Sequence, residues 1–155
     1  MRRSILIIVL AIGFALTVSA QEYKTGLGIR AGNSLGFNIK HFQSKKVALE
    51  GLLTTRWEGF EFTGLYEVHG QAFQVDHLTW YYGGGLHIGF YNGSHTYWGE
   101  PGTSYTLFGM DGILGLEYTF TDLPISLSLD WKPELNFTGY TGIWSEGALS
   151  VRYVF

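Results

Sequence analysis

Apolar and polar residues alternate along most of this chain, and the clearest run is the last one. Leu149, Val151, Tyr153 and Phe155 take every second position, with Ala148, Ser150, Arg152 and Val154 between them. A period of two belongs to a strand whose faces meet different surroundings. Earlier runs repeat it. Leu27, Ile29 and Ala31 alternate with Gly26, Gly28 and Arg30; beyond Gly32-Asn33-Ser34, Leu35, Phe37 and Ile39 alternate with Gly36, Asn38 and Lys40. Two such runs about a Gly-Asn turn predict a hairpin. A turn at 43–46 leads to a third run, with Val47, Leu49, Leu53 and Trp57 opposite Glu50, Thr54 and Arg56; Leu52 is its exception. Glu58-Gly59 is a tight connection to the fourth, with Phe60, Phe62, Gly64 and Tyr66 opposite Glu61, Thr63, Leu65 and Glu67.

Residues 68–79 show no clear period and read as an ordered connection with one helical turn. The fifth run sets Trp80, Tyr82, Leu86, Ile88 and Phe90 against Tyr81, Gly83, Gly85, His87 and Gly89. A long polar and aromatic loop is expected over 92–106, and a short turn over 121–124. Between them Leu114, Leu116, Tyr118 and Phe120 oppose Asp111, Ile113, Gly115, Glu117 and Thr119. In the seventh run Ile125, Leu127, Leu129 and Trp131 oppose Ser126, Ser128, Asp130 and Lys132; Pro133, lacking an N–H, predicts a bulge or the end of pairing. A loop over 138–146 precedes the closing run, 147–155.

One face of every run carries no charge. Lipid outside would require that, since Lys or Arg at mid-membrane costs about 2–4 kcal/mol. Eight runs of about nine to eleven residues make an even count of the length a tilted membrane strand needs. The predicted fold is therefore all-β: an eight-stranded antiparallel transmembrane up-and-down β-barrel. Its termini would lie in the periplasm, with connections 43–46, 68–79 and 121–124; those at 32–34, 58–59, 92–106 and 138–146 would face outward. The long periplasmic connection at 68–79 is out of keeping with the usual short turns there. Trp57, Phe60 and Phe90 near outer strand ends, and Tyr66, Trp80, Phe120, Tyr153 and Phe155 near periplasmic ends, predict two aromatic girdles.

Arg2 and Arg3, an apolar run from Ile5 to Val18 and the small Ser19-Ala20 read as a signal peptide over 1–20, leaving 21–155 as the barrel domain. The apolar run falls short of the roughly twenty residues of a spanning helix. Cysteine is absent, which removes disulfides, thiolate zinc sites and a lipid anchor at the cleavage site. After cleavage eight basic residues would face thirteen acidic ones, a net charge of −5 that argues against a nucleic-acid partner. Aromatic residues make up 17% of the chain, more than a water-soluble core ordinarily needs.

The inward face gathers Arg30, Lys40, Glu50, Arg56, Glu61, Glu67, His87, Asp111, Glu117, Asp130, Lys132 and Arg152, with both signs in similar number. Eight strands enclose a space that side chains fill, so a plugged, ion-paired lumen is expected and not a pore. Inward glycines (Gly26, Gly28, Gly36, Gly83, Gly85, Gly89, Gly115) would make room for long side chains. Glu50, Glu117 and Asp130 could serve as general acids or bases, but buried carboxylates in a barrel are ordinarily structural. His41, His69, His77, His87 and His95 show no spacing typical of a metal site, and no catalytic, cofactor or metal residue is assigned. Val151, Tyr153 and the terminal Phe155 resemble the signal that barrel-assembly machinery reads.

The segments Gly28–Gly32, Ile39–Phe42, Leu65–Glu67, Trp80–Phe90, Gly109–Gly112, Gly115–Tyr118, Leu127–Pro133 and Ala148–Tyr153 resemble a family of small outer-membrane β-barrel proteins of the Bacteroidota. The resemblance implies the barrel and its place in the bacterial outer membrane, and brings no catalytic residues. The expected partners are outer-membrane lipid and, during insertion, the assembly machinery. The expected role is structural or surface-interacting, through the loops at 92–106 and 138–146 and a surface ligand the sequence does not specify. The alternatives are a lipid A-modifying enzyme (Ser94, His95 and Glu100 supplying its chemistry), a narrow channel, and a soluble exported barrel holding an apolar ligand.

Overall fold

The computed structural model describes residues 23–155; the stretch read as a signal peptide lies outside the described residues. Eight strands follow in order: β1 (Thr25–Gly32), β2 (Leu35–Phe42), β3 (Val47–Arg56), β4 (Gly59–Gln71), β5 (Leu78–Asn92), β6 (Ser104–Thr119), β7 (Ile125–Asn136) and β8 (Gly142–Val154). Each pairs antiparallel with the next, and β8 pairs with β1, so the sheet closes into an up-and-down barrel. At the seam the Thr25 N–H donates to the Phe155 carbonyl (2.9 Å) and the Phe155 N–H to the Thr25 carbonyl (2.8 Å). Closure leaves no unpaired sheet edge. The end that carries this seam is called terminal below, and the opposite end distal.

The period of two decides what lies inside. Leu27, Ile29, Phe37, Phe62, Leu86, Leu114, Leu129 and Leu149 are exposed on the outer wall, as are Val151, Tyr153 and Phe155. Arg30, Lys40, Glu50, Glu67, Glu117, Asp130 and Arg152 are buried within. The lumen also has apolar layers: Tyr23, Phe42, Ala48 and Val154 close the terminal end, and Leu52, Leu65, Tyr81 and Ile113 cluster further in. Leu52 breaks the polar face of its run because it belongs to that inner cluster.

The strands run further than the alternation indicates. Residues 68–71 and 78–79 pair as β4 and β5, so the connection shrinks to 72–77 and holds two turns and no helix. Phe73, Gln74 and His77 take left-handed backbone there (φ 51°, 57° and 65°). The loop expected over 92–106 is confined to 93–103, with one 3₁₀ turn at Gly93–His95, and that over 138–146 to 137–141. Pro133 neither bulges nor ends β7. It pairs opposite Ser145 of β8, while on the β6 side the ladder lapses between Asp111↔Glu134 and Leu114↔Trp131 and resumes in the same register. The missing N–H therefore costs local pairing only. Trp57 and Glu58 form a two-residue hairpin loop with φ of 50° and 57°, the I′ pattern that usually takes Asn and Gly.

Several inward glycines serve the wall more than the lumen. A Cβ at Gly28, Gly83 or Gly85 would fall on a backbone carbonyl of the next strand (Val151, Tyr66 and Gly64). Gly115 does make room, for the Tyr81 phenol, and Gly89 for the Tyr91 ring.

Candidate functional site: the ion-paired interior

Burying a charge is tolerable only when it is paired and hydrogen-bonded. The inward residues satisfy this in three networks stacked along the barrel. Nearest the terminal end, Lys40 Nζ lies 2.8 Å from Glu67 Oε2, 3.3 Å from Glu117 Oε2 and 3.5 Å from Glu50 Oε2. Arg152 joins Glu50 through Nη2 and Glu117 through Nη1 (3.0 Å), and donates to the Ser128 hydroxyl at 2.8 Å. Asn38 donates to Glu50 (2.9 Å), and His69 Nε2 stands 2.9 Å from Glu67. The Tyr23 hydroxyl donates to Glu117 at 2.6 Å. Burial and that neighbouring carboxylate hold the Tyr23 phenol well above its ordinary range, so it remains the donor.

In the second network the Arg30 guanidinium grips Asp130 through two parallel bonds of 2.7 Å and reaches Glu146 at 3.1 Å. The Tyr81 hydroxyl donates to Asp130 (3.0 Å) and Ser34 to Glu146 (2.7 Å). The third lies toward the distal end. Lys132 Nζ is 2.6 Å from Glu134, 3.3 Å from Asp111 and 3.4 Å from Glu61. His87 bridges Asp111 (Nδ1, 2.9 Å) and Asn136 (Nε2, 3.0 Å), and Tyr91 donates to Glu61 at 3.2 Å.

Of the twelve inward charged and titratable residues named from sequence, only Arg56 stands apart. It is half-buried at the distal rim, its guanidinium 3.9 Å from the Trp57 ring, and it makes no ion pair among the described residues. Sequence reasoning missed Glu134 and Glu146, one beyond Pro133 and the other in a stretch read as loop, and the hydrogen-bonding Tyr23, His69 and Asn136; Asn38 and Tyr81 it placed on the inward face without a partner. The two added carboxylates change the balance of sign. Among the described residues eight buried carboxylates (Glu50, Glu61, Glu67, Asp111, Glu117, Asp130, Glu134, Glu146) face four buried cations (Arg30, Lys40, Lys132, Arg152), so the lumen is acid-rich and not balanced.

Trp57, Tyr91, Tyr97, Trp98, Tyr105, Tyr140 and Trp144 pack over the distal end, with ring centroids 5.0–6.5 Å apart. Beneath them Ser34, Thr54, Arg56, Glu61, Tyr91, Glu134, Trp144 and Glu146 line a cavity of about 10 Å³, room for one water. Ser94 and His95 do not form a nucleophile–base pair. The Ser94 hydroxyl accepts from the Gly102 N–H (2.8 Å), and His95 Nδ1 lies 3.3 Å from Glu58.

No family model matches this chain, and a search of curated proteins gives no match. Among solved structures it is similar to the N-terminal β-barrel domain of Pseudomonas aeruginosa OprF. The TM-score is 0.66 over 86% of this chain and all of that one, at 15% identity. The two share a fold. At that identity the likeness extends to architecture and to no residue of the interior.

Proposed function

We propose that the chain is an exported, non-enzymatic barrel of the bacterial outer membrane, sealed through its middle and acting at the cell surface through its distal loops, 93–103 and 137–141. The observation that carries this reading is the inversion of the usual arrangement. Large apolar side chains such as Ile29, Phe37, Phe62, Leu129 and Leu149 cover the outer wall, while nearly all the charge of the strands lies within. A soluble protein rarely exposes a contiguous apolar surface of more than a few hundred Å², whereas a lipid-embedded barrel must. β3 to β8, at 10 to 16 residues, meet or exceed the roughly nine to eleven of a tilted membrane strand, and β1 and β2, at eight, fall just short of it.

Three further features support the reading. The N-terminal pattern is that of a secreted precursor. Exposed aromatics stand toward both rims, Phe60 and Phe90 at the distal one, Tyr66, Tyr153 and Phe155 at the terminal one, as two girdles would. The motifs around 80–90 and 126–133 support membership of the small Bacteroidota barrels. Outer-membrane lipid would then be the wall's partner, and the assembly machinery would read the closing strand. The test is a small epitope inserted at Gly102, a loop glycine with φ +80° and open space around it. Labelling on intact cells is expected; labelling only after lysis would overturn the assignment of the distal loops to the surface.

A further inference from the structure

In the third network three side chains of metal-ligand type converge. Glu61, His87 and Asp111, from β4, β5 and β6, are all buried, and one ligand atom of each lies within 4.8 Å of the other two. Asn136 Oδ1 stands 3.0 Å from His87 Nε2, outside that trio. With this oxygen as acceptor, Nε2 carries the ring proton, and the Nδ1 lone pair of a neutral ring faces the Asp111 carboxylate at 2.9 Å. That separation is held by a cation between the two atoms, either a second ring proton or a metal ion. The Asn136 side chain is itself fully buried and its Nδ2 has no acceptor. Turning the amide over would leave its oxygen without a partner instead.

We propose that Glu61, His87 and Asp111 form a binding site for one divalent transition-metal ion, with Asn136 holding the imidazole tautomer that directs Nδ1 at the metal. Imidazole with two carboxylates is a donor set for Zn²⁺ and its first-row neighbours, water completing the coordination. A metal-bound histidine ordinarily donates its other N–H to a carbonyl or carboxylate, the role Asn136 Oδ1 occupies. Lys132 does not block the site. Its short contact is with Glu134 (2.6 Å), while Asp111 and Glu61 lie at 3.3 and 3.4 Å, so an entering dication would leave the ammonium with Glu134. The charge fits as well, since Glu61, Asp111 and Glu134 face the single ammonium of Lys132. Entry would be from the distal end, where Glu61 and Glu134 line the small cavity under Trp144 and Tyr91.

The experiment uses the full folded chain in detergent after treatment with chelator. Zn²⁺ uptake is measured by equilibrium dialysis, and Co²⁺ is used for its visible absorption. One ion per chain is expected. Asn136→Ala should weaken affinity by about 10–100-fold, Asp111→Asn should weaken it further, and His95→Ala, at the exposed loop, should leave it unchanged. X-ray absorption of the Zn²⁺-loaded wild type, which needs no variant to fold, should show one imidazole among oxygen ligands. No stoichiometric uptake, meaning that the cation is only a proton, would overturn the proposal. So would a site of oxygen ligands alone, or binding lost in His95→Ala but kept in Asp111→Asn.

Discussion

Arg152 is fully buried, and its guanidinium holds Glu50, Glu117 and the Ser128 hydroxyl at once. Truncating it would leave three carboxylates around Lys40 alone. Removing one partner of a buried pair costs about 3–5 kcal/mol, because the other charge stays buried. Arg152→Ala is therefore expected to lower unfolding stability by about that amount while still allowing insertion. Urea unfolding in micelles checks it, and a loss below about 1 kcal/mol would mean that water or ions replace the arginine freely. Two residues away, Val151 faces the other side of the wall. Val151→Arg should cost about 2–4 kcal/mol and reduce the inserted fraction, since a charge would enter lipid. Normal insertion of that variant would reverse the assignment of the faces. At this scale the inward charges other than Glu134 and Glu146 were legible from sequence, because each sits one position from an apolar neighbour in a clear run. Their partners were not. Arg30 meets Asp130 one hundred residues away, and no local pattern encodes such a pair.

Strand ends were the least legible elements, for physical reasons. Alternation marks a strand only where its faces differ in polarity. His69 is inward but not charged, Leu107 is inward and apolar, and Ile143 to Glu146 follow a glycine- and threonine-rich stretch that reads as loop. Pro133 misled for a related reason, since a closed barrel holds the strand in register from its β8 side. The wall itself yields two predictions. Gly85→Val sets a branched side chain against the Gly64 carbonyl, so the yield of folded barrel should fall sharply relative to wild type. In the Trp57-Glu58 turn both residues are left-handed, a conformation that costs about 1–2 kcal/mol per L-residue. Glu58→Gly should therefore stabilise the barrel by about 1 kcal/mol, and a loss in urea unfolding would show that Glu58 earns its place through His95.

For the whole molecule, three stacked networks, two apolar layers and a distal aromatic cover fill the lumen. Steady conductance in planar bilayers is not expected from the wild type, and a stable open level would contradict the sealed interior. Whether the outer wall faces lipid is decided by membrane fractionation followed by gel migration with and without boiling. The chain should appear in the outer-membrane fraction and migrate as a compact band that shifts on boiling. Recovery in the soluble periplasm, or a band indifferent to boiling, would contradict a lipid-facing wall.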